Sequence, residues 1–375
     1  MHRRTFLTTA GAAVVATPAL AATRTRWRFR HSEGLDAVLL LGVLAGANMQ
    51  AEQYPEERTR WLARLAPPSR AAIERLKHDI QDTRGALAGP WLALIASAGP
   101  HQALAALSCA FEHPRGLHTA FVDSAFWAGE DDWTRTAAVF PDVAIALRGL
   151  ENAGFVAAWR AEHRPAIDKR CAELAAEFTP IDLVATQQHF VSRRLDPVIN
   201  VYLTAFNKPH GIKIIGQQFL TSPEYPSIIV KQNAAHEIFH PFLTAGSSAK
   251  ASILARMATD PLLKAVVAKT GANTGYDSIE GLVEEGSVQA LEALTSQALG
   301  FGRADQLGYW REQDGGMHVF AAAMHGRTIE SGFARTGGDT LVWLDGETRA
   351  GRLVGDDLRR RAATALGADA VMRWS

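Results

Sequence analysis

His236-Glu237-Ile238-Phe239-His240, preceded by Asn233-Ala234-Ala235, is the stretch on which the reading of this chain turns. On a helix, residues four apart share a face, so the imidazoles at 236 and 240 address one point in space, with Glu237 beside it. Two neutral imidazoles are good donors to Zn2+, but a protein site needs at least a third ligand. The pentapeptide alone decides little. With 13 His in 375 residues, chance supplies about 0.03 such matches in a chain of this length.

The flanking sequence supplies the context. Val198 to Phe206 (Val-Ile-Asn-Val-Tyr-Leu-Thr-Ala-Phe) is rich in β-branched and aromatic residues, which predicts a strand, and Pro209-His210-Gly211 predicts a turn after it. Ile212 to Ile215 and Ser227 to Val230 read as two further strands, separated by Thr221-Ser222-Pro223 and Pro226. Asn233 then reads as the cap of a helix bearing the pentapeptide. Downstream, Ala249 to Met257 and Pro261 to Lys269 are helical. Ile279 to Leu294 is a longer helix that carries Glu280, Glu284, Glu285 and Glu292.

The earlier part of the chain, from about Ser32 to Phe178, has a helical pattern. Leu35 to Met49 is apolar, Pro67-Pro68-Ser69 starts a helix running towards Ile80, and Gly89-Pro90 and Gly99-Pro100 punctuate two short helices. Phe140-Pro141-Asp142 opens another, and Ala166 to Phe178 is amphipathic. None of these segments has catalytic spacing, so they read as a helical domain packed against the rest. A wall of the substrate cleft or a partner surface is the alternative.

Here the chain resembles the zincin metallopeptidases, over roughly Val198 to Ala293. The longer H-E-x-x-H-x-x-G-x-x-H form is absent, because Leu243 and Gly246 stand where its Gly and third His would fall. The gluzincin form, with a later helical Glu as third ligand, is the better match. Glu285-Gly286-Ser287-Val288 resembles the segment that carries that Glu, so the resemblance implies His236, His240 and Glu285 as metal ligands and Glu237 as catalytic base. Glu280 and Glu284 stay open as alternatives, one binding metal while the other orients a ligand histidine; Glu292 reads as part of a solvated face. The resemblance also implies a donor for the oxyanion, for which Tyr276, His318 and His325 are candidates, and an edge strand that binds substrate backbone. Two departures stand out. More than about forty residues separate His240 from the glutamate helix, and Pro241 lacks the N–H that would bond to the Glu237 carbonyl, which predicts a kink or early helix end.

The fold class that follows is α+β and predominantly helical: a zincin-like catalytic domain with a small mixed sheet, preceded by a helical domain. The boundaries are 1–21 for a signal peptide, 22–180 for the helical domain, 181–345 for the metal-binding domain and 346–375 for a C-terminal helical segment. Arg3-Arg4, Phe6-Leu7, a mildly apolar stretch and Ala19-Leu20-Ala21 resemble a twin-arginine export signal. The export machinery is therefore an expected partner of the precursor, and the periplasm or secretion the expected destination.

Charge and cysteines narrow the function further. Lys plus Arg and Asp plus Glu are 39 each, so no global field favours nucleic acid or an anionic membrane. Arg359-Arg360-Arg361 follows Asp356-Asp357, which predicts a charge-paired helix face. No apolar run beyond the signal reaches the length of a membrane span. Cys109 and Cys171, the only cysteines, exclude a four-cysteine zinc site, and whether they form a disulfide is open. The function expected is a periplasmic zinc metallopeptidase that hydrolyses peptide or protein substrates with a water activated by Glu237. The alternative is an exported binding protein in which the zincin site is degenerate or structural.

Overall fold

Helix Glu33–Leu44 is buried along its whole length, as a helix with apolar residues on every side must be. Ser32 caps it, its hydroxyl accepting from the Leu35 amide at 3.2 Å. The computed structural model describes residues 24–46, 48–84, 88–209, 211–244, 246–274 and 276–374; the export signal expected at 1–21 lies outside them. Around the central helix pack Ala88–Ala96 and Phe140–Asn152, the latter in turn against Pro67–Arg84 and Leu104–Glu112. The architecture is α+β and mostly helical, with one small mixed sheet.

That sheet has four strands, β1 (Arg26–His31), β2 (Val198–Leu203), β3 (Ile212–Ile214) and β4 (Gln218–Thr221), in the order β1-β2-β4-β3. β2 pairs in parallel with β1 (Arg26 opposite Val198) and with β4 (Asn200 opposite Gln218), and β3 pairs antiparallel with β4. β1 was not among the expected strands, although Arg26-Trp27-Arg28-Phe29-Arg30-His31 alternates charged and aromatic residues with the period of a strand. Trp27 and Phe29 both meet Phe178 edge-on, at 5.0 and 5.1 Å between ring centroids, which seats helix Arg164–Phe178 on this end of the sheet. Backbone bonds thus join residues near 26 to residues near 200, and one buried apolar cluster runs from Leu35 to Trp374.

A further fastening is polar. Asp36, on the central helix and fully buried, accepts from the Trp159 indole N–H at 2.8 Å through Oδ2 and from the Phe206 amide at 3.2 Å through Oδ1. It ties the central helix to Phe155–Glu162 and to the chain leaving β2.

One strand expectation is corrected. Ser227 to Val230 is not a strand but the first turn of helix Ser227–Glu237. Pro226 precedes it with extended backbone angles, and burial of Val230, Ala234 and Glu237 follows helical spacing, so packing overrides the β-branched preference of Ile228, Ile229 and Val230. Asn233 accordingly lies inside the helix rather than capping it, its amide donating to the Thr221 hydroxyl at 3.4 Å. The missed strand is β4, just before this helix.

Elsewhere the helical pattern reads well. Ile279–Ala298 is the longest helix and packs against Ser227–Glu237 and Val319–Glu330. Arg361 pairs with Asp357 at 2.7 Å and also with Glu330, and Arg360 with Asp357, the expected charge-paired face. Cys109 and Cys171 are both free thiols. Among the described residues no helix is long and apolar enough to cross a membrane.

Candidate metal centre

Helix Ser227–Glu237 stops at Glu237, and a short new helix, His240–Thr244, starts at His240. The break is the one Pro241 dictates, since it has no N–H to offer the Glu237 carbonyl. Between the two pieces the Phe239 amide bonds to the His236 carbonyl at 3.0 Å, a tighter turn than α. The two histidines therefore belong to different helical segments, yet their rings still converge: Nε2 of His236 and Nε2 of His240 are 3.2 Å apart.

Glu285 completes the group. Its Oε1 is 3.6 Å from Nε2 of His236 and its Oε2 is 3.7 Å from Nε2 of His240. Donor atoms about 2.0 to 2.2 Å from a tetrahedral zinc lie about 3.3 to 3.6 Å from each other; the imidazole pair is near that spacing, each ring faces a different oxygen of Glu285, and one donor atom from each of the three residues lies within 4.8 Å of the others. Two further facts point the same way. Oε2 of Glu285 is buried and has no hydrogen-bond partner, and two imidazole nitrogens face each other, an arrangement that a shared cation resolves.

The neighbouring carboxylates divide by helix geometry. Consecutive residues on a helix point about 100° apart, so Glu284 reaches the other side of the His240 ring, with Oε1 3.2 Å from Nδ1. Glu284 is the acceptor that favours a proton on Nδ1, which leaves the Nε2 lone pair towards Glu285, while the Lys213 ammonium lies 3.4 Å from the same nitrogen. Lys213 lies 3.4 Å and Lys250 3.6 Å from the two oxygens of Glu284. Glu280, more than half exposed, pairs with Lys250 at 2.8 Å and stays outside the convergence. Glu292 is a correction: it is not on a solvated face but 1 % exposed, in an ion pair with Arg303. An unpaired carboxylate could not occupy that position.

Glu237 is buried next to the triad without joining it. Burial first, then the charge of Glu285, push its carboxyl up to about 8, against the Lys213 charge and the Lys213 backbone amide. Gly211, just before β3, lies against it: a Cβ there would stand 2.8 Å from Oε1 of Glu237, so the position favours glycine for close approach. Burial pushes His236 down to about 3 and His240 down as well. Burial also works against ionising Glu285, but the adjacent imidazoles and the Gln289 amide outweigh it and hold the carboxyl below its usual range. Both directions, imidazoles down and carboxylate down, lean towards the protonation states a divalent metal needs.

Of the three oxyanion candidates, two lie near the centre. Tyr276 sits against Glu285, and burial followed by that charge raises its phenol well above the ordinary value. His318 is 1 % exposed, with Nε2 3.1 Å from Oδ2 of Asp314 and no partner on Nδ1, and it acts electrostatically on Glu285. Asp314 adopts left-handed backbone angles (φ 50°), unusual for a residue with a side chain. His325 packs against the Trp310 ring at 5.4 Å, on an indole whose N–H is committed to Gln289. Spacing from the pentapeptide offered no way to find Asp314, Lys213 or Arg303, because each arrives from another segment; Gln289, one turn after Glu285 on the same helix, is the one that i, i+4 spacing could have found.

Two other groups of potential donors are neutralised by cations. In Cys109, Glu112 and His113 the carboxylate pairs with Arg148; in Glu57, Glu162 and His163 Arg60 bonds to both acids. Access to the main centre is narrow. The His236 side chain is 16 % exposed, against 5 % for His240 and 4 % for Glu285, so what exposure the group has lies on the His236 side. No protein-family model matches the chain, and no curated protein or solved structure matches it.

Proposed function

We propose that this chain is an exported zinc-dependent metallopeptidase in which His236, His240 and Glu285 hold the metal and Glu237 is the catalytic base. The observation that carries the reading is the convergence of three donors, one with an unpartnered buried oxygen, beside a fourth carboxylate that stays outside the triad. A purely structural zinc is normally closed by four protein ligands, and among the described residues only three converge. When bound, zinc supplies Lewis acidity, making water acidic and a carbonyl electrophilic.

The chain's own groups do the rest. In its ionised form, favoured by the Lys213 charge and reached as pH rises through about 8, Glu237 takes a proton from water, the water oxygen bonds to the scissile carbonyl carbon, and the carbon–nitrogen bond breaks as the proton passes to the leaving amine. Tyr276 and His318 are the groups available to stabilise developing negative charge. The sheet has two edges, β1 and β3; β3 is the one whose Lys213 amide bonds to Glu237, and it is the edge that would bind the substrate backbone.

Glu237→Gln tests the chemistry. The variant keeps one zinc per chain and hydrolyses a peptide library at least about 100-fold more slowly than wild type. Undiminished hydrolysis would remove Glu237 from the role of base, and zinc without hydrolysis in the wild type would favour the binding-protein alternative. For export, Arg3→Lys with Arg4→Lys traps the precursor in the cytoplasm; normal export of that variant would point to another route.

A further inference from the structure

Gln289 lies one helical turn after Glu285, on the same face, and is 6 % exposed. Its Nε2 is 3.0 Å from Oε1 of Glu285, and its Oε1 is 3.1 Å from the indole nitrogen of Trp310, which is fully buried. The direction of this chain is forced by chemistry. An indole N–H only donates, so it must face the amide oxygen; the amide NH2 then faces Glu285, and an ionised carboxylate only accepts. Trp310 therefore orients Gln289, and Gln289 occupies one oxygen of Glu285 while the other is left without a partner.

We infer that the Trp310–Gln289 relay is a positioning device that makes Glu285 a one-oxygen ligand and keeps a coordination position free for water or substrate. The inference rests on the metal reading above and concerns how the site is tuned. With Oε1 held by the amide, only Oε2 is free to bind metal, and the carboxylate cannot rotate to offer both oxygens. Without the amide donor, Oε1 loses the hydrogen bond that holds it, and turning it to the metal is one remedy, the Tyr276 hydroxyl beside Glu285 being the other donor at hand.

Gln289→Met keeps the length and apolar bulk of the side chain and removes the donor; Trp310→Phe removes the N–H that orients the amide together with part of the buried ring. In both variants zinc affinity, measured by competition with a chromophoric chelator, is expected to fall about 10- to 100-fold for Gln289→Met and less for Trp310→Phe. The visible spectrum of the cobalt-substituted protein reports coordination number, and it is expected to weaken towards that of a higher-coordinate site in Gln289→Met. A structural role alone would lower the melting temperature of the metal-free protein and leave that spectrum unchanged. Wild type that binds metal, with variants whose affinity and cobalt spectrum are the same, would overturn the relay and leave the metal reading standing. Wild type that binds neither zinc nor cobalt would overturn both.

Discussion

Asp36 and Glu285 are both carboxylates on buried helices, 0 % and 3 % exposed, and they are finished in opposite ways. Asp36 has a donor on each oxygen, the Trp159 indole and the Phe206 amide, and no cation among its neighbours of influence; burial pushes it up to about 7. Glu285 has a donor on one oxygen only and two imidazoles facing it. A polar group that serves the fold closes its hydrogen bonds. One that serves a ligand leaves a bond unmade until the ligand arrives.

The largest expected effect breaks the comparison at Glu285. Glu285→Ala lowers zinc affinity a thousandfold or more, roughly 4 kcal/mol, well beyond the loss expected for a supporting residue. Unfolding of the metal-free protein changes far less than metal affinity, because the variant removes a buried oxygen with no partner while stranding the Gln289 amide on the other. Retained zinc affinity would redirect the ligand role to Glu284. Asp36→Ala has the reverse profile: it strands the Trp159 and Phe206 N–H groups and costs about 3 kcal/mol in unfolding experiments, while zinc affinity stays within about twofold of wild type.

The smallest effect sharpens the Asp36 side. A carboxyl raised from 3.8 to about 7 on folding binds its proton more tightly in the native state. Its contribution to stability is complete below the unfolded value and is lost as pH rises through the folded one. Between about pH 5.5 and about pH 7.5 this amounts to roughly 2 kcal/mol. Comparing wild type with Asp36→Asn isolates that slope, since the variant keeps every other titrating group. Parallel pH profiles for the two proteins would show that Asp36 is already ionised in the fold.

The same contrast explains what the sequence made legible. His236 and His240 declare themselves through residue type and spacing, Glu285 only through the resemblance of its segment and with Glu280 and Glu284 open beside it, and the break at Pro241 follows from a missing N–H. The helical half was readable because its apolar residues recur with helical period and its breaks carry Pro and Gly. Three features resisted. β1 alternates Arg with Trp and Phe, a visible signal, but its partner β2 lies some 170 residues away, beyond any local pattern. Ser227 to Val230 has strand-forming residues that tertiary packing winds into a helix. Glu292 looks like any helical surface acid, and only Arg303, from beyond the helix end, makes its burial tolerable. The groups that tune the site (Lys213, Gln289, Trp310, Asp314) come from a strand, a later helical turn and two other segments, so nothing near the pentapeptide announces them.

The central claim is that His236, His240 and Glu285 form one metal site, and elemental analysis of the full chain purified under zinc-replete conditions tests it most directly. The account predicts about one zinc per chain in the wild type and close to none in His236→Ala and His240→Ala. Wild-type protein without bound zinc, or zinc undiminished in both histidine variants, would contradict it.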